Sequence, residues 1–299
     1  MKVLKDMDNK KLIEKRVRFF KKMSPVLSKK NLTTVLSGLD ASYEDKDTFQ
    51  YVEDDQQVLH DVIIDINAGN KVLLIGPKAS GKNTLIETLA TLYTRRIREI
   101  QCNAYTDLEA LLGSATLKAS EVVFEPSELV LAMEQGDFVV LDEVNTVNPA
   151  VLSVLNSVLD GRRRISVPTY GLVEAHPNFR VFATMNEGYQ GVVELNEATE
   201  SRFAKHYLKL PEDIKGILKQ CVPMATPMNI NHCNKLYINM KSVVERGELS
   251  DECINIRAFV MALERTLWDM HIKKALKVVA SAPSDPSERA AIQLYIDTL

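Results

Sequence analysis

A glycine-containing turn that ends in lysine is the strongest chemical signal in the sequence. It has the spacing GxxxxGK and comprises Gly76, Pro77, Lys78, Ala79, Ser80, Gly81 and Lys82. It follows the apolar run KVLLI and opens a segment with helical spacing, which is the strand–turn–helix setting of a phosphate-binding loop. The glycines let the backbone curl so that successive N–H groups point at phosphate oxygens. The helix N-terminus adds positive potential, and we expect Lys82 to reach the β- and γ-phosphates.

The residue after the lysine departs from the usual pattern. That position ordinarily carries Ser or Thr, whose hydroxyl binds Mg²⁺, and this chain has Asn83 followed by Thr84. The Asn83 amide oxygen is a neutral hard donor that can bind the same ion. Thr84 lies about 100° further round the helix and is the poorer candidate. We therefore predict that nucleotide binding survives and that hydrolysis is slow.

Two adjacent carboxylates follow a second apolar run about sixty residues later. The segment FVVLDE is typical of a buried strand that delivers Asp142 and Glu143 at its carboxyl end. Such a pair suits metal-assisted phosphoryl transfer. We predict that Asp142 holds Mg²⁺, directly or through water, and that Glu143 activates the attacking water.

Strand and helix patterns alternate around these residues. Apolar strands are predicted at KVLLI, FVVLDE and VFATMN, with REIQCNA strand-like. Helices are predicted from Asn83, at TDLEALLG, and over PAVLSVLNSVLDG as far as Gly161. RRRISVPTYGLVEAHPNFR predicts a hairpin with its turn around Pro168 to Gly171. This alternation predicts a parallel sheet covered on both faces. The strand patterns fade after Pro211, and residues 212–299 are predicted to be mostly helical.

The composition is that of an ordered globular protein, with 45% hydrophobic and 26% charged residues among 299. No apolar run approaches the roughly 18 residues needed to cross a bilayer. The N-terminus has no apolar signal core, so we expect a cytoplasmic protein with no membrane partner. The four cysteines have no CxxC spacing, which excludes a disulfide scaffold and a zinc ribbon.

The charge is concentrated at one end of the chain. Residues 1–32 hold eleven Lys/Arg against three Asp/Glu, whereas the rest of the chain carries a net charge of −11. Leu12, Phe19, Phe20 and Met23 fall on one side of a helix in this segment, which favours a docking helix. Contact with nucleic acid is the alternative, but the acidic remainder argues against DNA as the main substrate.

The motifs together resemble the AAA+ ATPases. Within them, GDFVVLDEVNTVNPAVLSVLNSVLDGRR and HPNFRVFATMNEGYQGVVELNEATESRF are similar to the MoxR branch, which includes CbbQ-like and CobS-like proteins and is related to the modules of midasin and dynein. The resemblance runs from about Val58 to Arg257. It implies a P-loop α/β three-layer sandwich followed by a small α-helical lid. The expected division is a basic helix and acidic linker at 1–50, the nucleotide-binding domain at 51–210 and the lid at 211–299.

The resemblance also assigns roles to single residues. Asn186 matches sensor 1, which positions the lytic water, and Arg202 matches the arginine finger that reaches the neighbouring subunit's nucleotide. Arg257 matches sensor 2 more loosely, because the family commonly shows Ser-x-Arg or Ser-Pro-Arg there. SATLKASEVVFEPSE resembles the helix-2 insert, and the hairpin with Arg162, Arg163 and Arg164 resembles the pre-sensor-1 hairpin. These arginines either contact a client or a neighbouring subunit, or form a solvated face.

The implied function is that of an ATP- and Mg²⁺-dependent remodeller. The resemblance predicts a ring, as a hexamer, acting on a separate client protein, often one with a von Willebrand factor A domain, to activate it or to insert a metal or cofactor. Two alternatives stay open. One is a nucleotide-gated assembly module whose hydrolysis is weakened by Asn83. The other is a nucleic-acid-linked NTPase or GTPase, which only the basic segment supports.

Overall fold

A computed structural model describes residues 56–118, 121–186 and 195–299. The basic helix and acidic linker predicted for residues 1–50 lie outside this part of the chain. The described residues divide into two compact units. The sheet unit comprises residues 56–75 and 82–207, and the helical unit comprises residues 76–81 and 208–299.

The sheet unit alternates strands and helices. Its strands are β1 (Lys71–Ile75), β2 (Ile97–Gln101), β3 (Gly113–Lys118), β4 (Glu121–Pro126), β5 (Phe138–Asp142), β6 (Arg164–Val167), β7 (Gly171–Glu174), β8 (Arg180–Met185) and β9 (Phe203–Tyr207). Its helices are α1 (Gln56–Ala68), α2 (Lys82–Tyr93), α3 (Leu108–Leu112), α4 (Glu128–Gln135), α5 (Pro149–Leu152), α6 (Asn156–Leu159) and α7 (Glu197–Glu200). Single 3₁₀ turns cover Val144–Thr146 and Ser153–Leu155.

Within the described residues, five strands form a parallel sheet in the order β2-β5-β8-β1-β9. The three central strands β5, β8 and β1 are buried along at least four successive residues each. Continuous burial requires cover on both faces of the sheet, since neighbouring side chains point to opposite sides. The predicted α/β fold with a parallel sheet is therefore confirmed. Both edge strands, β2 and β9, bury only part of their length.

Two antiparallel hairpins stand apart from the parallel sheet. β3 pairs with β4 in the segment that resembles the helix-2 insert, and β6 pairs with β7. The second pairing confirms the predicted hairpin with its turn between Val167 and Gly171. Phe124 and Tyr170 come from the two hairpin regions, and the centroids of their rings lie 5.1 Å apart.

Two elements differ from the sequence-based expectation. The helix predicted to continue to Gly161 is a series of short segments, α5, a 3₁₀ turn and α6, that ends at Leu159. Strand β9 was not predicted, because the pattern around it was interpreted only as the arginine motif Ser201-Arg202-Phe203. Of its five residues only Phe203 is buried, while Lys205 and Tyr207 are exposed, as is typical of an edge strand.

The helical unit confirms the predicted helical region at the end of the chain. Its helices are α8 (Lys215–Cys221), α9 (Pro227–Glu245), α10 (Ile256–Thr266), α11 (Ile272–Ala275), α12 (Lys277–Ala280) and α13 (Pro286–Asp297), with a 3₁₀ turn at Asp251–Cys253. The rings of Tyr237 and Phe259 meet edge to face, 6.0 Å apart, in its core. None of the helices in the described part of the chain combines the length and apolarity needed to span a bilayer.

A buried arginine ties the amino end of the sheet to helix α4. The side chain of Arg98 in β2 is only 4% exposed. Its Nε donates to Asp137 at 2.7 Å, Nη1 to Glu128 at 2.7 Å and Nη2 to Gln135 at 2.8 Å. The planar guanidinium matches three acceptors at once, which a lysine would not do.

Arg98→Ala is expected to destabilise the sheet unit by about 3 kcal/mol, because the largely buried carboxylate of Asp137 loses its counter-charge. The midpoint of urea unfolding measures the change. Arg162→Ala is the control, since it removes only the exposed ion pair with Asp160, and its midpoint should stay nearly unchanged. Equal midpoints for the two variants would show that the Arg98 network does not stabilise the fold.

Candidate active site

The candidate site is built where β5 and β8 end. The register of these parallel strands runs from Phe138 opposite Arg180 to Leu141 opposite Ala183. Asp142 is the last residue of β5, and Asn186 follows directly after β8. Polar side chains at the carboxyl ends of parallel strands gather at one edge of a sheet, which is where open α/β proteins bind ligands.

Glu143 leaves the strand in a left-handed conformation. Its φ is 57° and its ψ is 44°, which is uncommon for any residue except glycine. In a continued strand, Asp142 and Glu143 would point to opposite faces. The left-handed residue breaks this alternation, and both carboxylates contact side chains of the same neighbouring strand end, Thr184 and Asn186.

Thr184 holds the two acidic residues in place. Its hydroxyl accepts a hydrogen bond from the Glu143 N–H at 2.9 Å and donates its own proton to Asp142 Oδ1 through a short contact. One buried hydroxyl thus satisfies a main-chain donor and a carboxylate. Thr184 was not among the predicted site residues, although it lies two positions before Asn186 in the run VFATMN.

The side chain of Asn186 joins the lysine to the glutamate. Lys82 Nζ donates to Asn186 Oδ1 at 2.8 Å, and Asn186 Nδ2 donates to Glu143 Oε1 at 3.0 Å. The two ends of the amide therefore face a cation and an anion, which fixes its orientation. Three of the predicted residues, distant in sequence, are brought into one hydrogen-bonded chain.

Lys82 sits in a polarised environment. Burial lowers its pKa from the ordinary value to about 8, and the charges of Asp142 and Glu143 oppose that change. The ammonium is therefore close to losing its proton in mildly alkaline solution. A polyanion beside it would favour the charged form.

Asn83 reaches the predicted metal-binding aspartate. Its Nδ2 lies 3.3 Å from Asp142 Oδ2. Thr84, also predicted to contact the nucleotide, accepts a hydrogen bond from Thr88 through its main-chain oxygen. The geometry favours Asn83 over Thr84 as the residue on the metal side.

The loop between β1 and α2 has the features of an anion cradle. A Cβ on Gly76 would lie 2.4 Å from the Leu208 carbonyl oxygen, so this position excludes a side chain. Ala79 and Gly81 both have positive φ, at 64° and 86°. The buried Ser80 hydroxyl lacks a hydrogen-bond partner among the described residues. A curled backbone with an unpaired hydroxyl fits a phosphate group.

The predicted arginines lie outside the Lys82–Asn186–Glu143 chain. Arg202 Nη1 donates to the Ala198 carbonyl through a short contact, and its buried Nε has no hydrogen-bond partner among the described residues. Arg257 is exposed on α10 in the helical unit. In the β6–β7 region, Arg163 donates to the carbonyls of His176 and Phe179, so it is a structural residue there.

The chain is similar to a known domain family and to other bacterial proteins. The family model described as an AAA domain of the dynein-related subfamily matches residues 71–203, from β1 to the first residue of β9. An uncharacterised protein of Staphylococcus haemolyticus is 32% identical over 83% of this chain and 97% of its own length. An uncharacterised protein of Staphylococcus aureus strain NCTC 8325 is 32% identical over 81% of this chain and 95% of its own.

A solved structure described as a "putative ATPase" from Cytophaga hutchinsonii is also similar to this chain. It covers 95% of both chains at 17% identity, with a TM-score of 0.48. The family match spans the strands that carry the phosphate loop, the paired carboxylates and Asn186. The chain therefore belongs to one family with these two staphylococcal proteins, and its residues 71–203 match the AAA domain of the dynein-related subfamily.

Proposed function

We propose that this protein is a remodelling ATPase of the MoxR type, which acts as a ring on a separate protein. The hydrogen-bonded chain from Lys82 through Asn186 to Glu143 carries the proposal. It joins a phosphate-binding cation, a neutral amide and a carboxylate base, which are the groups needed to bind a nucleoside triphosphate and direct water at its terminal phosphate.

The proposed chemistry divides between these groups. Glu143 accepts a proton from the water whose oxygen attacks the γ-phosphorus, and the bond from that phosphorus to the bridging oxygen breaks. Asn186 holds the water in line through its amide. Lys82 places its charge on the β- and γ-phosphate oxygens, where negative charge is concentrated.

Asp142 and Asn83 are the residues that would hold Mg²⁺. Carboxylate and amide oxygens are hard donors, and Mg²⁺ at such sites commonly takes one or two protein ligands, with phosphates and water completing its shell. When bound, the ion neutralises charge on the phosphates. For Asn83 to present its oxygen, its amide must turn from the orientation that now faces Asp142 with nitrogen.

The proposal of a ring rests on Arg202. Its guanidinium bonds to the Ala198 carbonyl and leaves the buried Nε unpaired among the described residues. A neighbouring subunit's nucleotide would give this cation its partner, and hydrolysis would then require assembly. Exposed apolar side chains on the hairpins, Leu117, Val122 and Leu172, support contact with a client protein.

A nucleotide-gated assembly module with weak hydrolysis is the second candidate. The observation in its favour is Asn83, which stands where a hydroxyl is usual and donates toward the metal-binding aspartate. The complete set of Asp142, Glu143 and Asn186 favours turnover over a purely structural role. The basic segment that supports a nucleic-acid role lies outside the described residues.

Steady-state ATP hydrolysis per subunit should rise with protein concentration, because Arg202 acts on a neighbour's site. Glu143→Gln and Arg202→Ala should each lower kcat by roughly 100-fold or more. Titrating wild type into inactive Glu143→Gln subunits separates the role of Glu143 in its own site from the role of Arg202 in a neighbour's site. The inactive subunits still supply Arg202 to the wild-type sites. Activity per subunit that is independent of concentration, with Arg202→Ala unchanged, would refute the shared site.

Asn83→Thr should raise kcat with little change in nucleotide affinity. Threonine restores a small hydroxyl that can bind Mg²⁺ while it donates to Asp142. Single-turnover hydrolysis measures the chemical step separately from product release. Asn83→Ala is the matched control and should lower kcat. An unchanged rate for Asn83→Thr would show that this position does not limit turnover.

The affinity for ATP should fall as the pH rises above 8. In the free protein the pKa of Lys82 is about 8, and bound phosphate raises it, so binding at higher pH requires proton uptake. The dissociation constant should be about tenfold larger at pH 9 than at pH 7. Lys82→Arg binds more weakly but stays charged, so its affinity should be constant over this range. If the affinity of wild type for ATP did not depend on pH, Lys82 would not be the phosphate-binding cation.

A further inference from the structure

One buried side chain beside the site has no role in the chemistry described above. Asn145 is 3% exposed and lies in the turn after the paired carboxylates. Its Nδ2 donates to the main-chain oxygen of Asn186 at 2.9 Å. Its Oδ1 is buried without a hydrogen-bond partner among the described residues.

The orientation of the Asn145 amide is determined by its partner. A main-chain carbonyl only accepts hydrogen bonds, so the nitrogen of the amide must face it. Turning the amide over would set two oxygens against each other. The buried Oδ1 is left without a partner among the described residues as a consequence.

The hydrogen bond from Asn145 to the Asn186 carbonyl lies beyond the point where the pairing between β5 and β8 ends. Between β5 and β8 the last matched residues are Leu141 and Ala183. Asn186 lies three residues beyond this pair, so the regular ladder does not hold it on the β5 side. Asn145 reaches across from the β5 side and fixes the peptide that follows Asn186.

The turn that carries Asn145 is itself tied to the catalytic base. The Glu143 carbonyl accepts from the Thr146 N–H at 2.9 Å and from the Thr146 hydroxyl at 2.7 Å. Asn145 lies between Glu143 and Thr146, the two residues that these hydrogen bonds join. The main chain of Glu143 and the main chain of Asn186 are therefore connected through a short, closed turn.

We propose that Asn145 is a positioning residue for hydrolysis, which sets the direction of the Asn186 amide between Lys82 and Glu143. It acts through Asn186 and does not touch the nucleotide. The inference rests on the proposed ATPase function. It differs from the roles of Glu143 and Lys82 because its loss leaves both the base and the phosphate-binding cation in place.

Asn145→Asp tests this role with almost no change in side-chain shape. An ionised aspartate cannot donate to the Asn186 carbonyl, so kcat should fall by roughly 10- to 100-fold near pH 8. The dissociation constant for ATP should stay within about threefold, because Lys82 and the phosphate loop are untouched.

The pH dependence of Asn145→Asp distinguishes positioning from loss of packing. The charged groups in the surrounding hydrogen-bonded chain are Asp142, Glu143 and Lys82. Burial and the two carboxylates raise the pKa of an introduced acid, whereas Lys82 opposes them. Once protonated, the acid can donate to the carbonyl. The ratio of variant to wild-type kcat should therefore rise as the pH is lowered from about 8.5 to about 6.

Two further variants serve as controls. Asn145→Ala should lower kcat with a ratio to wild type that does not rise at low pH, and it serves alone if the aspartate variant fails to fold. Asn234 is equally buried, at 3% exposed, and its Oδ1 accepts from the Ile214 N–H at 2.8 Å. Because aspartate keeps that acceptor, Asn234→Asp should keep a constant kcat ratio across the pH range.

Three outcomes would overturn the inference. Wild-type kcat in Asn145→Asp or Asn145→Ala would show that the bond does not position Asn186. A reduced kcat ratio that is independent of pH in the folded aspartate variant would indicate lost packing. If wild type itself does not hydrolyse ATP at ring-forming concentrations, the proposed function fails, and the role of Asn145 in it fails as well.

Discussion

The left-handed conformation of Glu143 is the constraint on which the site depends. A strand presents successive side chains to opposite faces, so adjacent carboxylates cannot share a site while the strand continues. A non-glycine residue in this conformation costs about 1–3 kcal/mol, which the surroundings must offset. The Thr184 hydroxyl holds the N–H of Glu143, and Thr146 holds its carbonyl from the other side. The strained residue is thus clamped at both of its main-chain polar groups.

The neutral side-chain amide of Asn186 lies between the charges of Lys82 and Glu143, so the two charges do not form a direct ion pair. If Lys82 bonded directly to Glu143, the buried pair would have to be separated before a nucleotide could bind, at a considerable cost. Asn186 bonds to each of them and takes no charge itself. Incoming phosphate then competes with an amide oxygen for Lys82, and water competes with an amide nitrogen for Glu143. Burial lowers the pKa of Lys82, and the charges of Asp142 and Glu143 only partly oppose that change.

The sequence predicted the parts of the site that are local in the chain. GxxxxGK directly follows the strand KVLLI, and FVVLDE contains the strand that ends at Asp142, so periodicity and residue type predicted where Lys82 and Asp142 lie relative to those strands. Thr184 and Asn145 were missed, because a threonine in a strand and an asparagine in a turn are ordinary until the strands are paired. Their roles arise from contacts 41 or 42 residues apart in sequence. The edge strand β9 was missed for a related reason, since only one of its five residues is buried.

The distribution of groups over the chain favours cooperation between subunits. The proposed base Glu143, the amide of Asn186 and the proposed metal ligand Asp142 all belong to the sheet unit, where hydrogen bonds join them to Lys82 and Thr184. Arg202 belongs to the same unit but bonds to the Ala198 carbonyl, one turn earlier in its own chain. In the proposed mechanism these groups bind the nucleotide and activate water, and Arg202 of a neighbouring subunit adds a positive charge for the transition state. Under this proposal, the rate of hydrolysis would depend on how two subunits face each other. A change in that arrangement at a client protein would then reach the nucleotide through a single cation, and no rearrangement of the buried carboxylates is required.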